Sequence, residues 1–203
     1  MFLNFDENNV MKTGDHPDPK LYINCFVHLR LSHYLILHFA KSVTMVATTF
    51  TDEYSSTVSP ARLFRALILE SHILIPKLIP QAVKSIEIQG DGGAGSIKVI
   101  NFAAGSQLQY VKYRIDEINP ETFTYSYTLV EGHGLSDKLE SVVYKVQFEV
   151  SADGGTVSKM TSTYTTLGGH TLDEEQVKIG KEKALGMYKV VEAYLLQNPD
   201  VYA

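Results

Sequence analysis

The chain changes character at Met45. Before it, apolar and polar positions follow no period. After it, they alternate or recur at helical spacing almost to the last residue. In 123–129, Phe123, Tyr125, Tyr127 and Leu129 fall on one parity, with Thr124, Ser126 and Thr128 on the other. In 142–150, Val142, Tyr144, Val146, Phe148 and Val150 share a parity. A period of two places each set on one side of a sheet. The same reading predicts strands over 47–56, 83–89, 96–102, 107–116, 122–130, 138–150 and 156–166. Asp153-Gly154-Gly155 reads as a hairpin turn between the last two.

Helical spacing appears twice. Ser59-Pro60 reads as a capping serine and a proline at the first helical position. Leu63, Phe64, Leu67 and Ile68 then form an apolar face. A second short helix starts at Ser71 and meets Pro76 and Pro80, which disturb it. The final periodic run, 173–197, carries Val177, Gly180, Ala184, Met187, Tyr188, Val191 and Leu195 along one broad face and ends at Asn198-Pro199. The element order, one strand, two short helices, six strands and a long helix, predicts an α+β domain. Its seven-stranded antiparallel sheet is strongly bent and covers the apolar face of the last helix.

Composition narrows the function. Of 203 residues, 44% are hydrophobic and 20% charged, as in a globular protein. A net charge of −5 argues against a broad nucleic-acid surface. Cys25 is the lone cysteine, so no internal disulfide forms. Residues 1–44 read as a disordered or artefactual leader, with Met45 as an alternative start. Leu21 to Ala40 is apolar but carries Arg30 and three histidines, a poor membrane span. Its acidic start does not suit a secretory signal. The domain is then 45–203.

The sequence 90–95, Gly90-Asp91-Gly92-Gly93-Ala94-Gly95, puts four glycines in six residues between two strands. No Gly-Lys-Ser/Thr ending and no helix follow, so neither a P-loop nor a dinucleotide fingerprint is present. His72, His133 and His170 lack ligand spacing, and no metal or cofactor is expected. The chain has 12 tyrosines and no tryptophan. Tyrosine joins an apolar ring to one hydroxyl. On pattern alone, the tyrosines of the alternating strands read as core filling, with a ligand-lining wall as the alternative.

Several ordered segments decide between these. They are Pro60-Ala-Arg-Leu-Phe-Arg-Ala66, the glycine loop running into Ser96-Ile-Lys98, Tyr110-Val-Lys-Tyr-Arg-Ile-Asp-Glu117, Leu129-Val-Glu-Gly132, Lys138-Leu-Glu140 and Val190-Val-Glu-Ala-Tyr-Leu-Leu-Gln-Asn-Pro-Asp200. Together they resemble the plant pathogenesis-related class 10 proteins, the relatives of the major birch pollen allergen. The resemblance spans almost all of 45–203. It implies a helix-grip, START-like fold with a large internal cavity for small hydrophobic or amphipathic molecules: flavonoids, cytokinins, other phytohormones and fatty acids. The positions it turns inward are Leu67, Lys98, Phe102, Val111, Tyr113, Tyr125, Tyr127 and Val146. Either a ligand oxygen or a local salt bridge would meet Lys98, since an unpaired buried charge is costly. The expected setting is the cytoplasm, with the nucleus open, in a monomer or weak dimer.

The same resemblance carries alternatives. A weak ribonuclease would use Glu140, Glu192 and Tyr194, with the glycine loop on phosphate. Norcoclaurine synthases are related, but their tyrosine falls near Tyr110, their acid near Lys112 and their lysine near Tyr125, so the proton-transfer set is broken. Abscisic-acid receptors share the fold. Their gate and latch sequences are absent here, which weakens hormone-dependent regulation of a phosphatase. Glu87-Ile-Gln-Gly90 is one residue shorter than the family's usual approach to the glycine loop. A one-residue slip of register there would reverse which side chains face in.

Overall fold

A computed structural model describes residues 45–106, 109–132 and 138–203. The leader reading for 1–44 and the His133 reading lie outside these. The strands are β1 (Val46–Ser56), β2 (Val83–Gln89), β3 (Ile97–Phe102), β4 (Tyr110–Asn119), β5 (Thr124–Gly132), β6 (Leu139–Val150) and β7 (Thr156–Thr166). The helices are α1 (Pro60–Phe64), α2 (Ser71–Leu78) and α3 (Glu174–Gln197). All neighbouring strands pair antiparallel, in the order β1-β7-β6-β5-β4-β3-β2, so the expected seven-stranded sheet is present.

The alternation in β5 and β6 holds. Tyr125, Leu129, Val142 and Phe148 are buried on the inner face. Two expectations shift at the strand ends. Phe123 precedes β5 in a left-handed conformation, φ 53°, yet still packs its ring 5.8 Å from that of Phe64. Val150 keeps the inward parity but runs past the covered part of the sheet and is 69% exposed. In β2 a bulge between Val83 and Ser85 takes up one residue. Val83 and Ile86 therefore both reach the core despite their odd spacing. The apolar set of β2 stays inward.

The helices depart from their sequence signals in four ways. Ser59 occupies the N-cap with extended backbone but makes no side-chain capping bond; Pro60 at the first helical position needs no N–H partner. After α1 the chain widens into a π-helical turn, Arg65–Leu69, in which the Glu70 N–H reaches the Arg65 carbonyl at 2.8 Å. Then α2 continues through Pro76 to Leu78. Asp173, read from sequence as the first helical residue, is instead the cap of α3, its carboxylate accepting from the Gln176 N–H at 3.2 Å.

Apolar burial falls into two clusters. One gathers Leu63, Phe64, Ile115, Tyr125, Phe148, Tyr188, Val191 and Leu195, joining α1, the sheet and the C-terminal half of α3. The other gathers Val111, Leu129, Val142, Tyr164 and Val177, joining the sheet to the first turn of α3. Helix α3, about 36 Å long at 1.5 Å per residue, is thus packed at both ends. Its C-terminal end is also clasped. Arg62 of α1 donates through Nη2 to the carbonyls of Leu195 (3.1 Å) and Asn198 (2.8 Å), and through Nε to that of Val201 (3.0 Å). The Leu195 and Asn198 carbonyls also accept from the Asn198 and Val201 N–H groups, so the guanidinium reinforces a turn that closes the end of α3.

Chain approach at one turn demands glycine. A Cβ on Gly155 would lie 2.2 Å from the Ser56 carbonyl oxygen, where the β6–β7 hairpin meets the end of β1.

The clasp predicts a specific mutational pattern. Arg62→Ala removes three hydrogen bonds that tie α1 to the C-terminal end of the chain and should lower unfolding free energy by about 2–4 kcal/mol. Arg62→Lys should recover less than half of that, since a point ammonium cannot reproduce the forked guanidinium geometry. Urea denaturation followed by circular dichroism reads both; a fully stable Arg62→Ala variant would show the clasp to be incidental.

Candidate functional site

The sheet delivers a belt of aromatic rings to its inner face. Tyr113 on β4 meets Tyr127 on β5 edge-on at 5.1 Å, and Tyr127 stacks on Tyr144 of β6 at 4.9 Å. Tyr144 meets Tyr164 of β7 at 6.4 Å, and Tyr164 meets Phe50 of β1 at 6.0 Å. Five consecutive strands thus contribute to one ring path, and each such pair adds about 0.5–1.5 kcal/mol beyond simple burial. The belt lies where the two apolar clusters adjoin: Tyr127 packs on the first, Tyr113, Tyr144 and Phe50 on the second, and Ile100 and Phe102 on both.

These rings are not fully covered. Phe50, Phe102, Tyr113, Tyr127, Tyr144 and Val146 face inward yet are only half-buried. Meanwhile burial pushes the Tyr113 phenol up to about 12 and raises the Tyr127 and Tyr144 phenols well above the ordinary tyrosine value. The surface these residues keep lies on the inner face of the sheet. Helix α3 agrees. Between Val177 and Tyr188 none of its residues is buried, and a Cβ added at Gly180 would meet nothing within 4 Å. The expectation that Gly180 packs on the sheet is therefore corrected: the helix bridges the middle of the sheet without filling it. One tie crosses near this stretch, the Lys181–Asp52 ion pair at 2.8 Å, with Lys181 also 5.1 Å above the Phe50 ring.

The eight residues that the resemblance turns inward are buried or half-buried. Val111 and Tyr125 are buried, Leu67 and Val146 pack on the first cluster, and Phe102 touches both. Lys98 is 8% exposed on β3, opposite Tyr113 of β4. Its Nζ donates to the Ser71 hydroxyl at 3.1 Å and sits 5.2 Å from the centre of the Tyr125 ring. Ser71 in turn donates to the Ile68 carbonyl at 3.0 Å. Among the described residues no carboxylate pairs with Lys98, so the local salt bridge is replaced by a hydroxyl on α2. Burial alone lowers the amine to about 8.

Sequence reasoning left Phe50, Tyr144, Tyr164 and Ser162 off the list of site residues. Ser162 points inward between Phe50 and Tyr144, is 3% exposed, and its Oγ has no hydrogen-bond partner among the described residues.

The ribonuclease set is not brought together. Glu192 pairs with Lys189 at 2.8 Å. Tyr194 lies on a different side of the same helix, about 200° round from Glu192, and packs on the first cluster. One turn before Glu192, the Tyr188 hydroxyl is 3.2 Å from Ser158, which pairs with Phe148. Glu140 is exposed at the other end of β6, roughly 26 Å of strand away at about 3.3 Å per residue.

Nor does the glycine loop offer a phosphate cradle. The Gly92 N–H donates to Ser96 Oγ at 3.0 Å, the Gly93 N–H to Asp91 Oδ1 at 2.9 Å, and the Gly95 N–H to the Ile115 carbonyl at 2.7 Å. Asp91, held below the usual carboxylate range by the Gly93 N–H and then by Ser96, already places an anion there. Gly90, at φ 117°, allows the turn, and a Cβ on it would meet Ser96 Oγ at 2.6 Å. Tyr110 is likewise engaged elsewhere: its hydroxyl donates to Glu131, which also pairs with Lys112 at 2.6 Å.

Comparison with known proteins accounts for this architecture. Residues 45–198 match the model of the pathogenesis-related protein Bet v 1 family. The chain belongs to that family. It is 52% identical over 155 residues to the major allergen Pru ar 1 of Prunus armeniaca, covering 76% of this chain and 97% of that one. It is 51% identical, with the same coverage, to the major strawberry allergen Fra a 1.05 of Fragaria ananassa. The crystal structure of Ara h 8.0201 superposes with a TM-score of 0.69 at 40% identity, covering 75% of this chain and all of that one. Norcoclaurine synthase from Thalictrum flavum, at 20% identity and TM-score 0.62 over 78% of this chain and 99% of that one, shares the fold alone. Membership makes this a defence-related ligand-binding fold of the kind that takes small hydrophobic molecules. Among the described residues no helix is long and apolar enough to cross a membrane.

The buried amine gives a pH signature. A lysine lowered from 10.5 to about 8 binds fewer protons folded than unfolded between those values. Stability from this group therefore rises with pH across that window. The gain from pH 7 to 9.5 should be about 2 kcal/mol. Buried phenols act oppositely, but only above about pH 10. Lys98→Met should remove the rise and be the more stable protein at pH 7. Parallel rises in both proteins would contradict the assignment.

Proposed function

We propose that this protein is a carrier that stores or presents small, flat, amphipathic metabolites, such as flavonoids, cytokinins, other phytohormones and fatty acids. It would hold them between the inner face of the sheet and the middle of α3, within the cytoplasm or nucleus. One observation carries this reading: a continuous belt of aromatic rings, most of them half-covered, lies on the inner face of the sheet, and α3 buries no residue between Val177 and Tyr188. Apolar burial supplies the affinity, at roughly 25 cal/mol per Å² removed from water. The tyrosine hydroxyls, the free Ser162 hydroxyl and the Lys98 amine set the orientation, since a few placed polar groups in an apolar space give selectivity.

The reading needs no chemistry on the ligand and no cofactor. It also explains why a carrier would tolerate a costly buried lysine: the ligand's oxygen would compensate part of the cost of burying it. The family's description as pathogenesis-related fits a defence role for the cargo.

A fluorescent hydrophobic probe should bind with micromolar affinity and be displaced by flavonoids or cytokinins. Val146→Trp, which pushes an indole into the interior, should weaken probe binding at least about tenfold at a stability cost of about 1–3 kcal/mol. Glu140→Gln should leave binding unchanged. Failure of every such compound to displace the probe would refute the carrier.

A further inference from the structure

We propose that Lys98 is a carbonyl-reactive amine, whose Nζ condenses reversibly with the aldehyde or ketone of a flat apolar molecule to form an imine. The inference rests on the ligand-chamber reading and goes beyond it, from holding a molecule to bonding with it.

The surroundings of Lys98 are those of a nucleophile rather than a structural cation. It is 8% exposed, with Ile88 of β2 and Tyr113 of β4 as its cross-strand neighbours. Its polar contact is a neutral hydroxyl, Ser71 on α2, and its ring contact is Tyr125 on β5. Among the described residues no acid faces it from any of these elements. A structural buried lysine would be paired with a carboxylate. Ser71 has committed its own proton to the Ile68 carbonyl, so it accepts from the amine and orients the nitrogen. The remaining valences of Nζ are left for a ligand.

Desolvation raises the share of neutral amine, the form that attacks carbonyl carbon. With the amine at about 8, about one Lys98 in ten is neutral at pH 7. For an ordinary lysine near 10.5 the share is about one in three thousand. The nitrogen lone pair forms the C–N bond while the carbonyl π pair moves to oxygen, which takes up one of the two amine protons. The carbinolamine then loses water, with the nitrogen's proton leaving as the C=N bond closes. Amine and carbonyl become imine and water, with no oxidant, reductant or net proton required. The chemical class is therefore an aromatic or other flat apolar aldehyde or ketone. A carboxylic acid ligand would make only an ion pair with the same amine.

The test uses the full chain, 2-naphthaldehyde as probe and cyanoborohydride as trap at pH 7, with adducts located by peptide mass spectrometry. 2-Naphthol, of similar shape but without the carbonyl, reports chamber occupancy by displacing the fluorescent probe. Lys98 should be labelled at least about tenfold faster than any other lysine, and 2-naphthol should suppress that labelling without slowing surface sites. Lys98→Arg should abolish the fast adduct, and Tyr125→Phe, which keeps the ring, should retain it. If 2-naphthol displaces the probe yet Lys98 reacts no faster than surface lysines, the imine is overturned while the chamber stands. If 2-naphthol displaces nothing and Lys98 is not labelled, both fall. Fast labelling that 2-naphthol leaves unchanged overturns reaction within the chamber.

Discussion

A single packing constraint organises this molecule: a 24-residue helix is held at its two ends and released in the middle. Val177 anchors the start against the second cluster; Tyr188, Val191 and Leu195, with the Arg62 clasp, anchor the finish against the first. Were the helix to press on the sheet throughout, Gly180 would have close neighbours and the tyrosine belt would be covered. Because neither is so, the bent sheet must stabilise itself. It does this through antiparallel pairing of all seven strands and through ring-to-ring contacts across five of them. Aromatic side chains suit the task, since they contact one another edge-on while still offering a face to a guest.

The interior also holds polar groups that a folding core would avoid. Lys98 lacks an acid, and Ser162 lacks any partner among the described residues. Leaving a buried hydroxyl unsatisfied costs about 1–3 kcal/mol, and burying an amine costs more. Proteins of marginal stability rarely keep such features without use. Both lie on the inner face beside the ring belt, where a bound molecule would supply the missing partners. Stability is recovered elsewhere, in the buried contacts of α1 with Leu195 and in the guanidinium that closes the end of α3.

Much of this was legible in the chain. The alternation in β5 and β6 placed Tyr125, Tyr127, Val142 and Phe148 correctly because apolar and polar residues strictly exchange there. Strand β7 hid its contribution. Its inward positions include Thr156, Ser158 and Ser162, and its outward positions include Thr161, Thr163 and Thr165, so no hydrophobic period marks a face. Tyr164 and Ser162 were missed for that reason. The partner of Lys98 could not be foreseen: Ser71 lies 27 residues away and meets it because α2 packs against β2, the strand beside β3. The lining residues were assigned by the resemblance alone, and the inward turn of the glycine loop's N–H groups onto Ser96, Asp91 and Ile115 could not be read from its glycine content.

The central claim is that the space under the middle of α3 is hollow and admits a flat guest. A crystal of the protein soaked with 6-bromo-2-naphthol tests it directly through the anomalous signal of bromine. The account predicts one strong peak in van der Waals contact with the Tyr127 and Tyr144 rings, roofed by the helix between Val177 and Tyr188. Side chains filling that volume, with bromine found only on the outer surface, would contradict it.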